Sequence, residues 1–142
     1  MNTREVVQSI YDAAQTADLS AIERVLADDV VLHEPAHHPA VLGDAKPEGT
    51  PGVWRGREAT MAGIGKVFGA LRLTGADLQT IVVDGDRAVG LLNVCGTDHE
   101  GRPYSMPMAE VFTVSGGKVV EIRAFYWDIT ELCGLAGVHA TA

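Results

Sequence analysis

Basic residues are scarce in this chain. Its 142 residues hold 11 lysines and arginines against 19 aspartates and glutamates, a net charge of −8. Nucleic acids and anionic membrane surfaces both need a basic patch, so neither is an expected partner. Cysteine is almost missing. Cys95 and Cys133 cannot build a disulfide framework and match no zinc spacing. No run approaches the roughly 20 apolar residues of a membrane span. The start, MNTREVVQ, has no apolar run behind a basic segment, so no signal peptide is read. The expected compartment is the cytoplasm, with reduced thiols. There is no Gly-rich phosphate loop and no G-x-S-x-G elbow. No cofactor is expected.

What is present fits one soluble domain spanning 1–142. The chain is 46% hydrophobic and 21% charged, an ordinary globular composition with enough residues for a core. Asn2 and Glu5 form a capping-box pattern ahead of Val6, Val7, Ile10, Tyr11 and Ala14 at helical spacing. Ser20 and Glu23 repeat it before a short helix carrying Ile22, Val25 and Leu26. Asp28-Asp29 is expected to end that helix. Residues 35–56 hold four of the six prolines and four glycines and read as one long loop, a feature usually functional. A third helix follows Gly56, with Met61, Ile64, Phe68 and Leu71 on one side. Four β-rich runs come next, separated by turns at Asp84-Gly85-Asp86, His99–Arg102 and Ser115-Gly116-Gly117. The tail from Asp128 allows a last helical turn. This order gives an α+β class. The expected form is a strongly curved, cone-shaped mixed or antiparallel sheet wrapped around three N-terminal helices, enclosing an apolar pocket.

Strand parity then points to carboxylates on apolar faces. Tyr104, Met106, Met108, Glu110 and Phe112 share one face of their strand. Unpaired burial raises a carboxyl pKa and keeps it protonated, able to donate a hydrogen bond. Glu34 shares a face with Val30 and Leu32. It sits near a strand end, so it is expected to be less desolvated and more readily ionised. By the same parity Asp128 joins Ile122, Ala124 and Tyr126 at the rim. Each acid has a plainer reading: an arginine ion pair for Glu110, a solvated strand end for Glu34, and a helix cap for Asp128. Tyr11 and Tyr126 read as core aromatics as readily as hydroxyl donors.

His33, His37 and His38 flank Glu34 in sequence. The prolines forbid the H-E-x-x-H helix, and parity sends His33 away from Glu34. No metal site is expected. Loop histidines such as His37 fit a cavity entrance better.

The stretches 17–35 (ADLSAIERVLADDVVLHEP), 52–59 (GVWRGREA) and 111–128 (VFTVSGGKVVEIRAFYWD) resemble the ketosteroid-isomerase-like and SnoaL-like polyketide-cyclase superfamily, of nuclear-transport-factor-2-like fold. The resemblance covers nearly the whole chain. It implies that Glu34 stands where the isomerase shuttles a proton. It also implies that Glu110 stands where a protonated acid binds the oxyanion. The isomerase's oxyanion tyrosine falls on Ile10, next to Tyr11, so unless the helix shifts register the hydroxyl is missing or comes from elsewhere, such as Tyr104 or Tyr126. The cyclase base resembles Asp128, with one residue more between Gly117 and the aspartate. The epoxide-hydrolase triad falls on Leu91, Asn93 and Ala124 and is absent.

The expected activity is cofactor-independent proton abstraction next to a carbonyl, by an isomerase or cyclase acting on an apolar molecule such as a steroid or polyketide. The catalytic set is Glu34, Glu110 and Asp128. Substrate contacts are expected from Tyr11, His37, Trp54, Asn93, Tyr104, Met106, Met108 and Tyr126. The alternatives are a non-catalytic binding or dimerisation module, and a hydrolase with a carboxylate-activated water near Asn93. A homodimer is expected, because Ser105, Pro107, Ala109, Val111 and Thr113 leave an outer sheet face in need of cover.

Overall fold

A computed structural model describes residues 1–42 and 49–138. Helix α1 (Thr3–Gln15) begins at the expected capping box, with Glu5 N donating to Asn2 Oδ1 and Asn2 N to Glu5 Oε1. Val6, Val7, Ile10 and Tyr11 form its buried side. The cap of α2 (Leu19–Arg24) is Asp18 rather than Ser20, with Ala21 N donating to Asp18 Oδ1 at 3.1 Å. Strand β1 (Leu26–His33) starts earlier than expected. Asp28 and Asp29 lie within it as exposed residues, and Asp28 pairs with Arg57 at 2.8 Å.

The stretch read as one loop contains two elements, α3 (Pro39–Leu42) and β2 (Val53–Arg55). Residues 43–48, also part of that reading, lie outside the described residues. Pro39 opens α3 where its missing N–H costs nothing. Strand β2 pairs antiparallel to β1, a bond pattern no local alternation advertised. Helix α4 (Arg57–Leu71) tolerates its glycines for a packing reason at Gly63: a side chain there would meet the Trp54 ring at 2.6 Å.

The remaining strands are β3 (Leu73–Asp84), β4 (Arg87–Thr97), β5 (Pro103–Ser115) and β6 (Lys118–Tyr126), followed by α5 (Ile129–Ala136). The sheet order is β2-β1-β6-β5-β4-β3. Only the β1–β6 pairing is parallel, which makes the sheet mixed. It is curved and unclosed, an α+β architecture with helices on the concave side. The register Gly90↔Glu110↔Ala124 and Ala88↔Phe112↔Ile122 places these residues in rows across the concave face. Val6, Leu26, Leu71, Phe112 and Leu132 are among the fully buried residues of the core between sheet and helices.

Candidate active site

Between α1, α4 and the concave sheet lies a cavity of about 140 Å³. Ile10, Ile22, Leu32, Val67, Leu92, Phe112 and Ile122 supply apolar wall. Exposed Gln15, Ala17 and Thr74 mark its mouth, where the Gln15 amide reaches across to the Ala76 carbonyl of β3. Four polar side chains line the same space: Glu34, Glu110, Tyr11 and Tyr126.

Each is delivered by a local constraint. Glu34 follows β1, where Glu34 N donates to Gly52 O at 2.7 Å. Gly52 has φ +82°, and a side chain there would sit 2.3 Å from the Glu34 carbonyl oxygen, so glycine is required. Glu110 comes from mid-β5 by the inward parity read in the sequence. Opposite it, Gly90 leaves room for a phenol: a Cβ at 90 would lie 1.9 Å from Tyr11 Oη. Tyr11 also packs edge-on against Phe112, with ring centroids 5.8 Å apart. Tyr126 enters from the last position of β6.

Burial dominates the electrostatics. It lifts Glu110 to about 7. Burial first, then the charge of Glu110, lift Glu34 to about 8. Tyr11 beside Glu110 and Tyr126 beside Glu34 favour the charged forms, but they do not outweigh desolvation. The expected ranking, with Glu34 solvated and readily ionised, is therefore overturned: its side chain is only 5% exposed. The two acids titrate as a pair that keeps one proton near neutrality. Tyr11 Oη and Glu34 Oε2 are buried without a partner in hydrogen-bond geometry, a costly state for buried polar atoms.

Other expectations separate. Asp128 lies beyond the end of β6. It is exposed, lines no part of the cavity, and accepts from Glu131 N at 3.0 Å as the N-cap of α5. Parity fails there because the strand has ended. Asn93 stands on the convex face, since the inward residues of β4 are Ala88, Gly90, Leu92, Val94 and Gly96. Tyr104 donates to Leu71 O at 2.6 Å, closing the end of α4. Met106 is packed core, and Trp54 lies against Gly63. Met108 does line the cavity. His37 is exposed, and its carbonyl accepts from Cys133 Sγ at 3.1 Å.

His38, not His37, belongs to the site. It is fully buried, with Nε2 3.2 Å from Tyr126 Oη and 3.9 Å from Glu34 Oε2. Burial holds its imidazole down at about 4, so it is neutral. His33 faces the other way, 3.3 Å from Glu121. Among the described residues no three His, Cys, Asp or Glu side chains gather to hold a metal. Nor is any helix among them long and apolar enough to cross a membrane.

The profile of the SnoaL-like domain matches residues 7–122. The chain belongs to the SnoaL-like family. A cystatin-like-fold protein of unknown function from Xanthomonas campestris is 22% identical, covering 99% of this chain and 100% of that one with a TM-score of 0.77. IdmH from Streptomyces antibioticus, named as a candidate polyketide cyclase, is 26% identical over 97% and 100% of the two chains, with a TM-score of 0.72. An NTF2-like protein of unknown function from Burkholderia pseudomallei is 22% identical over 96% and 98%, with a TM-score of 0.77. No curated protein sequence matches the chain significantly. Membership of this family agrees with the fold.

Proposed function

We propose that this SnoaL-like protein is a cofactor-independent acid–base enzyme that removes a proton next to a carbonyl in an apolar, ring-containing molecule. The observation that carries this reading is the pair of buried carboxyls, each beside a tyrosine hydroxyl, in one apolar cavity. Paired carboxyls sharing a proton offer a base and an acid at the same pH. In the arrangement that puts the pair's one proton on Glu110, about tenfold less populated than the reverse because Glu34 lies at about 8 and Glu110 at about 7, Glu34, whose Oε2 is unpartnered, takes the proton from carbon. Protonated Glu110 and the Tyr11 hydroxyl donate to the oxygen that becomes an enolate. Returning the proton to another carbon gives an isomer. Attack of the enolate carbon on a second carbonyl of the same molecule closes a ring, and the alkoxide formed takes back the proton held by Glu34, the outcome that similarity to IdmH favours.

A cavity near 150 Å³ accommodates about one benzene-sized ring. A polyketide or steroid therefore inserts one ring and leaves the rest in the mouth at Gln15 and Thr74. Exchange of α-protons of 2-tetralone in D₂O, followed by NMR, tests the chemistry. Wild-type protein should exchange them faster than Glu34→Gln by at least about 100-fold. Glu110→Gln keeps an N–H donor and should lose less. Equal rates for wild type and both variants would leave a binding module as the better account.

The reading includes a homodimer. Leu91, Ala109 and Phe125 form a row across the convex face, beside Pro107 and the exposed Trp127. A second copy, offering the same row, covers it by isologous pairing. Sedimentation should give twice the 15.0 kDa chain mass. A monomer at tens of micromolar contradicts it.

A further inference from the structure

Both ring nitrogens of His38 are engaged. Its Nδ1 accepts from Ala40 N at 2.9 Å, as the N-cap of α3. An imidazole neutral at one nitrogen must carry its proton on the other, so Nε2 is the N–H. That N–H points to Tyr126 Oη at 3.2 Å, with the two rings 5.1 Å apart. Once its oxygen accepts from His38, the Tyr126 hydroxyl has its own proton to give elsewhere. Glu34 is the acceptor beside it.

We infer that His38 is a positioning residue: its tautomer, fixed by the backbone of α3, turns the Tyr126 O–H toward Glu34 and holds the base ready. The inference rests on the acid–base reading for its part in turnover, but its geometry can be tested without a substrate. The relay runs from Ala40 N–H through the imidazole and the phenol to the carboxyl. It places a donor on Glu34 that is separate from Tyr11, the phenol beside Glu110. The two carboxyls are thus told apart: His38 stands behind the Tyr126 beside Glu34, while Gly90 and Phe112 pack the Tyr11 beside Glu110. The groups facing the imidazole are Glu34, just after β1, and Tyr126 from β6, with Glu110 of β5 acting on Tyr126. Cys133 of α5 is engaged by the neighbouring carbonyl of His37.

Two substitutions separate positioning from capping. His38→Asn keeps an acceptor for Ala40 N and loses the donor to Tyr126. His38→Gln restores a donor near the Nε2 position. The readouts are the ¹⁵N shifts of the ring and the ¹³C carboxyl titration of Glu34 in the folded protein. Wild type should show the Nε2–H tautomer, with no protonation down to pH 5. His38→Asn should raise the Glu34 midpoint, and Tyr126→Phe should raise it further, by about one pH unit. His38→Gln should bring it back toward wild type. An Nδ1–H tautomer, or a Glu34 midpoint unchanged in His38→Asn, overturns the relay. Neither result touches the exchange assay, which can fail separately if the acid–base reading is wrong.

Discussion

Replacing Glu110 by glutamine should stabilise the protein at high pH and leave it unchanged at low pH. The native carboxyl titrates at about 7 instead of 4.5 because it is desolvated. Its raised value means that the folded state binds a proton that the unfolded chain releases. That stability is fully present below the unfolded value near 4.5. It is lost as pH rises through about 7, the folded value of Glu110. At 1.36 kcal/mol for each pH unit, forcing the charge into the fold costs about 3 kcal/mol by pH 9. For a domain of this size that is about 10 °C in Tm. His38, neutral in the fold, pulls the pH dependence the other way between about 4 and 6.5. It is common to both proteins and cancels in the difference. Thermal melts of wild type and Glu110→Gln at pH 5, 7 and 9 measure the gap. It should open from about 2–3 °C at pH 5 to about 10 °C at pH 9. A gap that is the same at all three values refutes burial as the cause of the shift.

Gly90→Ala brings a methyl within 1.9 Å of Tyr11 Oη, so the phenol must leave. Overpacking of this kind costs about 1–3 kcal/mol in denaturant unfolding, and exchange of the 2-tetralone α-protons should fall by about 10-fold or more as one oxyanion donor goes. The same exchange, followed against pH, should be bell-shaped, falling below about 7 and above about 8 as the pair gains or loses its shared proton. A flat profile from pH 5 to 9 counts against the pair. Gly52→Ala would press a methyl onto the Glu34 carbonyl at a left-handed backbone position and should cost more than 1 kcal/mol by chemical denaturation.

Strand alternation made Glu110 and Met108 legible, because a period of two assigns faces without any tertiary knowledge. The same rule misread Asp128: β6 stops at Tyr126, and a carboxylate one residue before a helix caps it instead. Tyr104 and Met106 show a second limit. They share the inward face with Glu110, yet the helices cover that end, and Tyr104 Oη is taken by the last carbonyl of α4. The choice between His37 and His38 depends on a turn that alternation cannot see. One sequence signal was available: Pro39 favours the first position of a helix, which makes His38 its cap. Gly90 looked like a weak strand residue, and only the register with Glu110 and the reach of Tyr11 across the core give it a purpose. Alternation turns Glu34 inward but does not give its depth, because the strand end is tied to Gly52 ahead of β2 and His38 lies against the carboxyl.

The central claim is that Glu34 and Glu110 share a proton at neutral pH. Carboxyl ¹³C NMR of glutamate-labelled protein, with both residues assigned by their glutamine variants, measures it directly. The account predicts that both signals titrate together in two steps near 7 and 8, well above the ordinary carboxyl value of 4.5. Two independent titrations near 4.5 would contradict it.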